Sequence, residues 1–163
     1  MAYEDGQLDQ DEIAVFDAQT LQLRYRFGRL LLNDACGVAV AGGEVFVCDR
    51  LGGRIQVFSV AGEHRRSIID EGWKWPTEVC CIHDRLYVVE SDFREEGREK
   101  EDSRLRSWRI FVLSLQGKLL YMWTPKGASG WHIKSLCYFD CKLLALCYKG
   151  GAPGCSVIAL RGV

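Results

Sequence analysis

Histidine is scarce in this chain, and neither a long apolar run nor an excess of one charge is present. The three histidines are His64, His83 and His132. A histidine-built metal site needs its ligands within about 2 Å of one ion, and the strand count developed below sets His132 at the opposite end of the sheets from the other two. No metal site and no cofactor is therefore expected. No apolar stretch approaches the roughly 20 residues of a membrane-spanning helix. With 21 basic and 22 acidic residues and a net charge of −1, the chain lacks the basic footprint usual in nucleic-acid binders. No G-x-S-x-G elbow, Walker loop or dinucleotide fingerprint occurs, so those chemistries have no anchor. Only three prolines occur and no 3.6-residue period persists, so little helix is expected. The opening Met-Ala-Tyr-Glu-Asp is acidic and lacks the layout of a secretory signal, which leads to the expectation of a cytoplasmic, reducing setting.

Cysteine, in contrast, is plentiful. There are eight, at 36, 48, 80, 81, 137, 141, 147 and 155, with no C-x-x-C pair among them. Seven lie on or beside apolar strand sequence. They are expected to be buried free thiols acting as small hydrophobes, not a disulfide framework.

The strongest signal is repetition. Gly53-Arg-Ile-Gln-Val-Phe-Ser-Val-Ala-Gly-Glu63 is echoed by Trp108-Arg-Ile-Phe-Val-Leu-Ser-Leu-Gln-Gly-Lys118, and more faintly by Asp11-Glu-Ile-Ala-Val-Phe-Asp17 and Cys155-Ser-Val-Ile-Ala-Leu160. Ile13, Ile55, Ile110 and Val157 share one slot, at intervals of 42, 55 and 47 residues. A period in the low forties fits four short strands per unit, as in propeller blades. The long interval contains a charged insertion at 92–107, with six acids and five bases. Such mixed charge suits a solvated loop or a docking loop.

Alternating apolar runs divide the units into strands. The second unit gives 37–41, 44–49, 54–59 and 64–69, and the third gives 78–82, 85–90, 108–114 and 118–123. The fourth gives 134–139, 142–148 and 156–160, while only 12–16 and 21–27 precede the second unit. Gly42-Gly43, His83-Asp84 and Asp140-Cys141 occupy one hairpin slot, where positive φ is required. The expectation is a single all-β domain of four-stranded antiparallel blades, an incomplete propeller of three to three and a half blades. Its units cover about 11–28, 36–69, 77–123 and 133–160. Val38, Val40, Val45, Val47, Ile55, Val57, Val79, Leu86, Val88, Ile110 and Val112 form the expected core.

Closed propellers carry roughly 4–8 blades, so the incomplete terminal units should expose strand edges. A second copy, a different subunit or further residues would cover them.

In an up-and-down meander, the inter-unit connections share one end with the loops between second and third strands. That end collects Arg50, Arg54, Trp73, Trp75, Lys126, Trp131 and Lys149, together with the charged loop and the Gly-rich 150–154. Arginine and aromatic residues on one surface match the composition of interface hot spots. The bland alternative is that the tryptophans pack between blades. No catalytic constellation is present.

The second unit, Gly37-Val-Ala-Val, Val45-Phe-Val-Cys-Asp49 and Arg54-Ile-Gln-Val-Phe58, resembles the NHL repeat of β-propeller proteins. The third unit keeps Arg109-Ile110 and Gly117 but has Glu90 in the Asp49 slot. The resemblance implies a binding platform and makes Asp49 a structural residue at the end of a second strand. The expected function is thus a non-enzymatic scaffold binding a protein partner through the loop end. Alternatives are a propeller-type hydrolase or lyase, whose metal-binding histidines find no counterpart here, and an RNA-binding domain using Arg50, Arg54, Lys126 and Lys149 with stacking tryptophans.

Overall fold

The computed structural model describes residues 11–91, 108–123, 131–140, 142–149 and 155–160. The charged insertion, the Gly-rich segment and Lys126 lie outside the described residues.

The fold is all-β, with no helix among the described residues. Four antiparallel sheets follow one another along the chain. Sheet one holds β1 (Ile13–Phe16) and β2 (Leu23–Phe27). Sheet two holds β3 (Ala35–Ala41), β4 (Glu44–Asp49), β5 (Arg54–Ser59) and β6 (His64–Ile68). Sheet three holds β7 (Pro76–Ile82), β8 (Arg85–Ser91), β9 (Trp108–Ser114) and β10 (Leu119–Trp123). Sheet four holds β11 (Trp131–Phe139), β12 (Lys142–Lys149) and β13 (Cys155–Leu160). Every sheet is a meander of sequential neighbours, the local topology that short turns permit.

The turns explain the strand ends. Gly42 and Gly43 at the β3–β4 hairpin have φ of 56° and 77°, and His83 and Asp140 hold φ of 52° and 50° in the same slot. Two-residue hairpins require this left-handed geometry to match the twist of the strands they join.

The third and fourth strands repeat down to their irregularities. Ile55 faces Ile68, Ile110 faces Trp123, and Ile13 faces Phe27. The register then slips at the same place, at Val57/Phe58 in sheet two and Val15/Phe16 in sheet one. In sheet three the slip falls between Leu119 and Tyr121, opposite Val112 and Leu113. Sheet one therefore occupies the third and fourth positions of a blade.

The sheets stack in chain order. Leu32, Val45, Val47 and Phe58 pack with Ile13 and Phe27 between sheets one and two. Phe46, Cys48, Ile55, Val57 and Trp73 meet Val79, Leu86, Val88 and Phe111 between sheets two and three. Tyr87, Val89, Ile110 and Val112 meet Ile133, Leu136, Leu143 and Ala145 between sheets three and four. Both faces of β4 and β5 are thus covered: β4 reads as a nearly continuous apolar run, and β5 is buried at every position after Arg54, polar Gln56 included. The first strands adjoin one another, β3 against β7 and β7 against β11. At Gly37 this approach is so close that a Cβ would lie 2.8 Å from the Glu78 Cα.

Two expectations are corrected. Val38 and Val40 are 55% and 63% exposed, whereas the other nine expected core residues are buried. The two valines do point at the same face as buried Val47 and Val45, their cross-strand partners, but nothing in sheet one reaches over them. Cys36 and Cys137 are exposed, so not every thiol is a core residue. The Cys36 thiol nonetheless turns inward toward the carbonyl of Pro76 at 3.6 Å.

Candidate interaction face

The meander brings the sequence-selected residues to one end of the sheets. Ala35 pairs with Asp49, Pro76 with Glu90, and Trp131 with Lys149, so the starts of the first strands and the ends of the second strands coincide there. Trp131 begins β11 and is not part of a connection. It and Lys149 are direct cross-strand neighbours.

A polar joint repeats at this end. The fully buried Asp49 accepts hydrogen bonds from the Asn33 amide at 2.8 Å, Arg54 Nε at 2.7 Å and Gln56 Nε2 at 3.3 Å. In sheet three, buried Glu90 accepts from the Lys74 amide at 2.6 Å and from Arg109 Nε at 2.7 Å. Arg109 continues to the Gly72 carbonyl at 2.8 Å. In each case the carboxylate ending a second strand holds the arginine opening the third strand and the backbone of the segment entering the sheet. A buried carboxylate survives only when its oxygens are satisfied in this way. The Asp49 carboxylate also fills the space a Cβ would need at Gly52.

The joint decides what the candidate residues can offer. Arg54 is committed to Asp49, and Arg50 is ion-paired with Asp34. Trp73 is buried against Phe111 with ring centroids 5.5 Å apart, and its Nε1 donates to the Gly53 carbonyl at 3.1 Å. Trp73 thus supports the face from beneath and cannot itself touch a partner. Trp75 is half-buried, and Leu51, which the strand alternation also sets at this end, is exposed. Sequence reasoning also passed over Asp34 and Gln56; nothing in a linear pattern marks Asp34, whose partner lies 16 residues away.

Burial dominates the titratable groups in the inner strands. Desolvation pushes the Glu78 carboxyl up to about 7. The Cys36 and Cys80 thiols rise to about 11 for the same reason, and Cys48 lies well above its ordinary value. These thiols are held protonated, the opposite of an activated nucleophile. Among the described residues, no three His, Cys, Asp or Glu side chains are placed to share a metal ion. No helix among them is long and apolar enough to cross a membrane, which says nothing of a β-barrel.

No protein-family model matches the chain, and no curated protein matches it. Among solved structures it is similar to Kuenenia stuttgartiensis hydrazine synthase, with a TM-score of 0.64 at 14% identity, over 91% of this chain and 39% of that one. It is also similar to the computationally designed Ika4 protein, with a TM-score of 0.42 at 13% identity, over 78% of this chain and 92% of that one. The likeness to hydrazine synthase is one of fold alone, and this chain spans about two fifths of that chain's length. The fold is that of an incomplete β-propeller.

Proposed function

We propose that the chain is a non-enzymatic, NHL-like propeller scaffold that binds a protein partner through the loop end of its blades. The observation that carries this reading is the repeated carboxylate joint. It ties Asp49 and Glu90 to their arginines internally and leaves Leu51 exposed and Trp75 half-exposed at that end, where the backbones of Trp131 and Lys149 also pair. Rigid strands presenting an aromatic and apolar rim suit protein recognition. The raised thiol pKa values argue against nucleophilic chemistry in the inner strands. A cytoplasmic location belongs to the same reading, because six described cysteines are free.

The test is affinity capture with the intact protein, using wild type, Leu51→Asp with Trp75→Ala, and the opposite-end variant Val60→Asp. A protein retained by wild type and Val60→Asp but lost from the rim variant supports the reading. Equal retention by all three, or capture of RNA that weakens steeply with salt, refutes it.

A further inference from the structure

The bulge at the start of β3 sets two residues against one. Ala35 faces Asp49 and Val38 faces Val47, so Cys36 and Gly37 share Cys48 as their cross-strand neighbour. Both sulfurs lie on the side of sheet two that packs on sheet three. Cys48 belongs to the cluster that holds Val79 and Leu86. The Cys36 sulfur lies 3.6 Å from the Pro76 carbonyl of β7 and 4.0 Å from the Cys48 carbonyl. A Cβ at Gly37 would sit 3.1 Å from the Cys48 sulfur, so glycine keeps the space beside that sulfur clear. Opposed residues of an antiparallel pair hold their Cβ atoms about 4.5–5.5 Å apart. A small adjustment brings that to the roughly 3.5–4.5 Å of a disulfide.

No other two cysteines are opposed in this way among the described residues. Cys80 faces Tyr87, Cys81 faces Leu86, Cys137 faces Leu144, Cys147 faces Ile133 and Ser156, and Cys155 faces Tyr148. The opposed pair is also asymmetric. Cys36 is exposed, whereas Cys48 is fully buried. A small oxidant in solution therefore meets Cys36 first and leaves Cys48 to resolve the adduct.

We propose that Cys36 and Cys48 are a reversible redox pair, closed to a cross-strand disulfide by a low-molecular-weight disulfide such as oxidised glutathione. The Cys36 thiolate attacks one sulfur of glutathione disulfide, forming a mixed disulfide and expelling one glutathione thiolate. The Cys48 thiolate then attacks the Cys36 sulfur, forming the Cys36–Cys48 bond and expelling the second glutathione. The two cysteine protons end on the two glutathione thiols, and the two electrons lost by the cysteines reduce the glutathione disulfide. An excess of reduced glutathione runs the exchange backwards. Closure fastens β3 to β4 one residue from the Asp49 joint and draws the Cys36 sulfur from the Pro76 carbonyl, so a contact with sheet three is exchanged for a bond within sheet two. Burial holds the Cys36 thiol up at about 11, with Arg50, Asp34 and Glu78 as its charged neighbours, so closure is slow at neutral pH.

The sequence supplies a direct assay. No Lys or Arg lies between Arg29 and Arg50, so trypsin releases residues 30–50 with both cysteines in one peptide, and Glu44 lies between them. The reduced, folded chain is incubated with glutathione disulfide, quenched with acid, alkylated and digested. The expected product is peptide 30–50 lighter by two hydrogens, unalkylated at both cysteines and still joined after cleavage at Glu44. Reduced glutathione should restore both thiols. The rate should rise about tenfold between pH 7 and 8, in proportion to the thiolate fraction. Cys36→Ser should melt as wild type does, because the same slot of sheet three holds Thr77, whose hydroxyl donates to the Val89 carbonyl at 3.3 Å. In that variant Cys48 should stay a free thiol. A mixed disulfide that persists on Cys36, a bond from either residue to a different cysteine, two thiols that remain fully alkylated, or closure that occurs only in urea overturns the proposal.

Discussion

Replacing Asp49 with Ala tests the polar joint directly. Three donors lose their acceptor at once: Arg54 Nε, the Asn33 amide and Gln56 Nε2. A hydrogen bond to a charged partner contributes about 1.5–3 kcal/mol. Arg54 is 36% exposed, so water recovers part of its loss and the low end applies. The Asn33 amide also donates to the charged carboxylate and adds about 1.5 kcal/mol at the same low end. Gln56 adds little, because its amide keeps the Leu31 carbonyl at 3.0 Å. The total is about 3 kcal/mol, or a fall in Tm of about 6–12 °C for a domain of this size. Urea unfolding followed by circular dichroism measures it, read from the midpoint at unchanged slope. A double-mutant cycle with Arg54→Ala should return a coupling of about 1–2 kcal/mol, as expected of directly bonded neighbours. A loss below about 1 kcal/mol for Asp49→Ala would refute the joint as a stabilising element, since even one charge-assisted bond exceeds that.

Other perturbations probe the packing. Ile55→Ala removes a fully buried side chain between sheets two and three and should cost about 2–5 kcal/mol in the same urea assay. Gly37→Ala drives a Cβ to within 3.0 Å of the Val79 amide nitrogen as well as onto the Glu78 Cα. Backbone cannot yield as a side chain would, so a loss of about 1–3 kcal/mol is expected by thermal melting. Glu78 sets a pH dependence. Its folded-state value of about 7 lies above the ordinary 4.5, so its proton is bound more tightly in the folded chain. The associated stability is present below the unfolded value and is lost as pH rises toward and through 7. Because Glu78 is only half-buried, solvent screening holds the effect to about 1 kcal/mol. Glu78→Gln should therefore gain on wild type between pH 5 and 8 in parallel melts, and a constant difference would remove the carboxyl as its cause.

Much of this architecture was legible because repetition exposes it. The Ile-x-Val slots at 13, 55 and 110 gave the third strands, and the structure adds that even the register slip recurs there. Turns were legible from Gly42-Gly43 and from Asp140, since few residues tolerate positive φ. The fate of Val38 and Val40 was not legible. Their burial depends on strands in a neighbouring sheet, and a strand's own pattern reports which face a side chain takes but not whether that face is covered. Trp73 illustrates the same limit from the other side. Its position in a connection indicated the loop end, while its contact with Phe111 depends on a strand 38 residues further on. Composition identified Arg50 and Arg54 as cations at the rim, but only three-dimensional proximity shows that Asp34 and Asp49 engage them.

The carboxylate joint separates two tasks that most β-proteins combine. Asp49 with Arg54, and Glu90 with Arg109, fix where each sheet begins relative to the segment feeding it, using only a few polar atoms. The apolar faces are then relieved of specifying alignment and need only fill volume. Val45-Phe-Val-Cys in β4 and Leu86-Tyr-Val-Val in β8 can accordingly differ at nearly every position while stacking in the same way. A chain built on this division tolerates wide changes in its cores so long as the polar joint is kept.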